Sequence, residues 1–220
     1  MTGTLPLPAL RALPTLASIT QALRQWLQPL ALRIDVEHGS DDIEREIDSL
    51  YERMQTPGFA LHGMTIDDRT LPGFRLHTRE ADGEIYVYVE DVAARRLAGY
   101  TVFNRLIELD KRADRVLRAP HSKYAAAYQR RGLASAVYRR ALDDGMCLMS
   151  GARQSTGAHA LWQSLAARYA SGYVEVRDKR LRYLGDRVDA DVLDALHTRR
   201  VLLGVGWSVE ALAAATKMAV

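Results

Sequence analysis

The sequence predicts a mixed α/β domain, with a mostly antiparallel central sheet flanked by helices. Three observations carry that expectation. Residues 74–91 alternate apolar and polar on either side of Asp82-Gly83, a hairpin signature. The second half changes to short apolar runs separated by helical periods, in the order β-α-β-α-β. The chain of 220 residues is 48% hydrophobic and 26% charged, which is globular composition with enough apolar material for one substantial core.

The N-terminal region 1–33 contains an amphipathic helical pattern, with Ile19, Leu23, Trp26, Leu27 and Leu30 at helical spacing and Pro29 ending or bending it. It reads as an extension that packs on its own domain or on a partner. Pro6, Pro8, Arg11 and Pro14 break the first apolar run, which is unlike a signal peptide. Ile34–His38 alternates like a short strand. Ser40, Asp41 and Asp42 supply helix caps, and Ile43, Ile47, Leu50, Tyr51 and Met54 form one apolar stripe that Pro57-Gly58 stops. Between Phe59 and Pro72 no period emerges, so this stretch is expected to be a loop on the substrate side.

Strands are expected at Phe74–Glu80, Glu84–Asp91, Leu97–Leu106 and Arg115–Arg118, the last stopping before Ala119-Pro120. A helix follows from Gly132 to Asp143, then a buried strand at Met146–Met149 and a helix at Gly157–Tyr169. Val174–Leu184 returns to β as two strands around Asp178-Lys179, and Asp191–His197 is helical. Val201–Val220 is apolar and near membrane-spanning length. Glu210, Lys217 and the cap at Ser208 make it a buried strand followed by a helix, with no membrane partner expected. The domain division is therefore 1–33, a core domain at 34–188, and a C-terminal extension at 189–220 packed on it.

A net charge of +3 and an isoelectric point of about 9.1 suit an anionic cofactor or nucleic acid. The single cysteine, Cys147, rules out an intrachain disulfide or a Cys-rich zinc site, and fits a reducing, cytoplasmic setting. No Cys/His spacing suggests a metal. Cys147 lies in an apolar run and reads as inert. His159 has no evident ligand or triad partner. The pairs Arg95-Arg96 and Arg199-Arg200 read as solvated surface.

The chemistry concentrates in Tyr128-Gln129-Arg130-Arg131-Gly132-Leu133-Ala134-Ser135-Ala136. A helix start exposes about four backbone N–H groups without internal partners and carries partial positive charge, so it binds phosphate. Gly132 lets the backbone approach a ligand, Ala134 nearly so, and Arg130 and Arg131 add charge. A turn and one helix thus make a pyrophosphate cradle.

This string resembles the acyl-CoA-binding signature of the GNAT N-acetyltransferase superfamily: Gln or Arg, two variable residues, Gly, one variable residue, then Gly or Ala. Gln129, Gly132 and Ala134 fill it, with Tyr128 as the preceding aromatic. Downstream, Ser155, Ala158, Leu161 and Trp162 stand where the family has a small polar residue, Ala and Leu-Tyr, and Gly172-Tyr173 resembles its Gly-aromatic pair. The resemblance spans residues 84–184. It implies a GNAT-like sheet, acetyl-CoA or another acyl-CoA as cofactor, and direct attack by an amine. It also implies that the cofactor lies between the strand ending near Lys123, Tyr124 and Ala125 and the strand near Cys147. Backbone N–H groups around Tyr124 or Ala125 would polarise the thioester carbonyl. Ser155 and Trp162 would line the cofactor.

Trp162 replaces the usual tyrosine, and indole cannot protonate the leaving thiolate. Tyr169 and Tyr173 are the replacement acids to consider, with core packing as their competing role; Tyr138 reads as a packing residue. For the base, Glu90 ends a strand and His121 precedes the cofactor-facing segment. Two other readings keep the scaffold: a nucleic-acid-modifying or nucleic-acid-binding protein, and a non-catalytic interaction protein. The apolar extensions allow a homodimer.

Overall fold

The computed structural model describes residues 40–220. The helix expected within 1–33 and the strand at Ile34–His38 lie outside that range. In chain order the elements are α1 (Ser40–Gln55), β1 (Thr65–Leu71), β2 (Phe74–Ala81), β3 (Glu84–Asp91), β4 (Arg96–Asn104), a helical turn α2 (Ala113–Val116) and β5 (Leu117–Tyr124). There follow a 3-10 turn at Ala126–Tyr128, α3 (Leu133–Asp143), β6 (Cys147–Met149), α4 (Thr156–Ala166), β7 (Ser171–Arg177) and β8 (Arg180–Gly185). The last elements are α5 (Ala190–Asp194), β9 (Thr198–Leu202) and α6 (Val209–Thr216). The described strands form one nine-stranded sheet in the order β1-β2-β3-β4-β5-β6-β9-β7-β8. Its pairings are antiparallel except between β5 and β6. The expected fold class, a mostly antiparallel mixed sheet with flanking helices, is the observed one. No helix among the described residues is long and apolar enough to cross a membrane.

The β2–β3 hairpin turns where expected, with Asp82 and Gly83 both at positive φ, as a two-residue turn of this type requires. Residues 65–71, expected to be loop, form the edge strand β1 against β2. Ile66 is largely exposed while Leu71 packs partly against the core, so the apolar residues of this strand do not mark out one buried face by alternation. The strand expected at Arg115–Arg118 is displaced: Ala113–Val116 is helical and β5 runs on through Ala119-Pro120 to Tyr124. Pro120 fits inside it for a physical reason. Ala125 donates to the Ala98 carbonyl, and the β4–β5 register continues without a shift, so residues 119, 121 and 123 bond towards β4. Residues 120, 122 and 124 turn their backbone groups the other way, where a missing N–H breaks no ladder bond. The C-terminal stretch supplies β9, which lies between β6 and β7, so residues 198–202 are internal to the sheet rather than added to its outside.

The two faces of the sheet are distinct. Tyr100 on β4 and Lys123 on β5 both bond Glu46 of α1. The alternate residues Thr101, Phe103 and Ser122 face α3, where Ser122 and Phe103 meet Tyr138. Strand alternation therefore puts α1 and α3 on opposite faces of β4 and β5.

Candidate functional site

The parallel pairing of β5 with β6 is short. Leu117 pairs with Cys147 and Arg118 with Leu148; beyond them β5 continues to Tyr124, while β6 ends at Met149. The two strands part, and the freed edge of β5 faces the opening. On that edge lie the backbone groups of Ser122 and Tyr124. Gly99 brings β4 close to the end of β5: a Cβ there would stand 2.4 Å from the Lys123 carbonyl oxygen.

At the end of β5 the chain turns through Ala126–Tyr128 into α3. Gln129 secures the turn by donating its side-chain amide to the Tyr124 carbonyl at 3.0 Å. Gly132 is the N-cap of α3 with φ 78° and no side chain capping the helix. A Cβ on Gly132 would meet nothing within 4 Å, so this glycine serves the left-handed backbone and an open approach. The first backbone bond into the helix runs from Ala136 to the Gly132 carbonyl. The amides of Leu133, Ala134 and Ser135 precede it and are left without partners within the helix. The Leu133 side chain is buried beneath them, which anchors this end of α3.

The arginines divide the work unequally. Arg130, at φ 58°, is exposed beside the helix start. Arg131 is seated over the rings of Tyr128 and Phe74, 5.1 and 5.4 Å from their centroids. Tyr128 is itself fixed by its hydroxyl to Asp91 at 2.9 Å. Arg131 is therefore held in place over two rings.

Several expected site residues go elsewhere. The amide of Ala125 is bonded to Ala98 at 3.0 Å, so it cannot polarise a carbonyl; Tyr124 alone of that pair turns its N–H into the opening. Lys123 extends to the α1 face, where its ammonium meets Glu46 at 2.7 Å. Burial opposes the charged form of Glu46, but the bonds from Lys123 and Tyr100 outweigh it and hold the carboxyl below its usual range. Trp162 is 3% exposed and packs edge-on against Tyr138 at 6.4 Å; it is a core residue. Tyr169 donates to Asp143 at 2.7 Å, at the far end of α3, about 16 Å along the axis from Gly132. Burial, then the bond to Asp143, pushes its hydroxyl up to about 12. Ser155 accepts from the Ala158 amide at 3.2 Å and caps α4.

Glu90 is 7% exposed on the α1 face. It contacts His77 at 2.7 Å and accepts from Tyr51 at 3.3 Å. His77 escaped sequence reading because only the β2–β3 register brings it beside Glu90. The pair sits level with the end of β5, since Val89 pairs with Gly99 and Gly99 with Tyr124; two strand spacings, about 10 Å, separate them. His121 is exposed on β5 on the same face and helps lower the Glu46 carboxyl.

Two further polar features stand out, a hydroxyl chain on β4, β5 and α3 and a carboxamide beyond β6. Thr101, Ser122, Tyr124 and Tyr138 join their hydroxyls in a chain with spacings of 2.8, 3.3 and 3.4 Å. Burial pushes the Tyr138 hydroxyl up to about 12, against the bond from Ser122. On the segment from β6 to α4, Gln154 is 5% exposed, and neither its amide nitrogen nor its oxygen has a partner. A buried carboxamide in that state is costly. The open amides at the start of α3 fit a ligand carrying phosphate, as CoA does.

No family model and no curated protein matches this chain. Among solved structures it is similar to the GNAT superfamily phosphinothricin acetyltransferase of Sinorhizobium meliloti in complex with acetyl-CoA. That likeness has 12% identity over 87% of each chain and a TM-score of 0.36. It is also similar to a mutant of the spermidine N-acetyltransferase SpeG of Vibrio cholerae, with 19% identity over 56% of this chain and a TM-score of 0.33. In that case the chain spans 66% of the other protein's length, just under two thirds. A third is RimL, a ribosomal-protein α-N-acetyltransferase in complex with coenzyme A, with 10% identity over 88% of this chain and 90% of that one, at a TM-score of 0.33. None of these likenesses assigns a residue of the site.

Proposed function

We propose that this chain is a GNAT-type acyltransferase, moving an acyl group from acyl-CoA, acetyl-CoA in the simplest case, to an amine. The observation that carries the reading is the conjunction at the end of β5. The amides of Leu133, Ala134 and Ser135, without partners among the described residues, stand beside the place where β5 and β6 part.

An acyl-CoA supplies an activated thioester. In this reading the α3 amides and Arg130 hold its pyrophosphate, and Gly132 keeps the approach clear. The Tyr124 N–H, fixed by the Gln129 bond to its own carbonyl, donates to the carbonyl oxygen as negative charge develops there. Gln154 takes up polar groups along the bound chain. The base for the incoming amine is the Glu90–His77 pair, acting through water over the distance from β5. Trp162 carries no acidic proton for the thiolate, and Tyr169 lies too far along α3. The hydroxyls that do border the β5 edge are those of Ser122 and, behind it, Tyr138.

Calorimetry with acetyl-CoA tests the proposal. One-to-one binding is expected, weakened by Arg130→Glu with the fold intact by circular dichroism. No heat at high micromolar ligand would sink it.

A further inference from the structure

A groove of about 720 Å³, open to solvent, runs along α3 from Ala136 to Asp143. Leu71, Leu76 and Val205 give it apolar walls, and Arg139, Arg140 and Arg168 line it along with Asp143 and Tyr169. The charges are not all balanced. Arg140 is paired with Asp67 at 3.0 Å, and Asp143 accepts the Tyr169 hydroxyl at 2.7 Å. Arg139 and Arg168 have no counter-ion among the described residues. A basic residue in the last turn of a helix is favoured by the helix dipole, which accounts for Arg140 but not for Arg139, one residue earlier. Nor does it account for Arg168, which comes from beyond the end of α4 and converges on the same groove.

We propose that this groove is a second ligand site, for a small carboxylate with an apolar body. The volume lies within the usual range for such ligands, about 300–1,000 Å³. Arg139 and Arg168, from separate elements, outweigh the single Asp143 carboxylate in the lining, so the groove is net positive, and their guanidiniums suit the two oxygens of a carboxylate. The leucines and Val205 take the hydrocarbon. The site reaches along α3 as far as Ala136, one turn from Gly132, but its charged lining lies at Arg139–Asp143 and Arg168, beyond the Leu133–Ser135 amides of the acyl-CoA cradle.

Octanoate is the probe, titrated calorimetrically into the full chain, with acetate and octylamine as controls. Octanoate is expected to bind saturably at one site. Acetate lacks the apolar body and octylamine has the wrong charge, so neither should bind at tenfold higher concentration. Arg168→Gln, at an exposed position, and the double variant Arg139→Gln/Arg168→Gln should weaken octanoate by about tenfold or more. Acetyl-CoA affinity should change by less than about twofold. Absent or non-saturable octanoate binding overturns the proposal, as does equal binding of octylamine or indifference to both variants. Displacement of octanoate by acetyl-CoA would place it in the other site and overturn the proposal equally. Failure of acetyl-CoA to bind, with octanoate binding intact, would instead count against the acyltransferase reading alone.

Discussion

Gln129 donates its side-chain amide to the Tyr124 carbonyl at 3.0 Å, tying the end of β5 to the turn that starts α3. One side chain thus sets the distance between the amide aimed at the opening and the helix start. Gln129→Ala should loosen that spacing while leaving both elements formed. Acetyl-CoA binding is expected to weaken by about 2–10-fold, the worth of one hydrogen bond, with little change in melting temperature. Calorimetry beside a thermal melt checks both halves.

Gly132→Ala separates conformation from contact. The new methyl meets nothing in the protein, but φ 78° is strained for alanine by about 1–2 kcal/mol. A denaturant melt should show that loss. Acetyl-CoA affinity should drop further than stability does, because the methyl enters the approach to the α3 amides. Equal losses in both would mean that the glycine serves only the backbone.

Gln154→Leu should act in opposite directions on the free and bound protein. Removing a buried carboxamide with no partner relieves about 1–3 kcal/mol and should raise Tm by about 2–12 °C. The same change should weaken acetyl-CoA by several fold. A lower Tm, or undiminished binding, would show that Gln154 is not held in reserve for a ligand.

Trp162→Tyr introduces the residue that the GNAT resemblance of the sequence implies at this position. Because Trp162 is packed against Tyr138, the smaller ring leaves space and buries a new hydroxyl. A loss of about 1–3 kcal/mol is expected, with no gain in turnover. A faster enzyme would put position 162 at the reacting sulfur after all.

Glu46 gives the acid limb of stability a definite sign. Its folded pKa lies below the ordinary 4.5, so its contribution is present above that value and is lost as pH falls through the folded pKa. Glu46→Gln should flatten the decline of Tm below about pH 4.5 and uncouple Lys123 from α1. Melts from pH 3 to 7 on both proteins would show it; parallel curves would remove Glu46 from the acid transition.

What the sequence determined by itself is local. Asp82-Gly83 dictated a hairpin, the 43–54 stripe dictated α1, and Gln129 to Ala134 dictated a helix start that leaves amides open. Each follows from turn chemistry or side-chain period within a few residues. The tertiary structure decided everything that depends on which strands lie side by side. The phase of the β4–β5 ladder turned the Tyr124 amide outward and consumed that of Ala125. Packing put Trp162 in the core and Tyr169 at the wrong end of α3. Pairing made a strand of residues 65–71, placed β9 inside the sheet and brought His77 to Glu90. These outcomes come from contacts between residues far apart in the chain, and no local period encodes them.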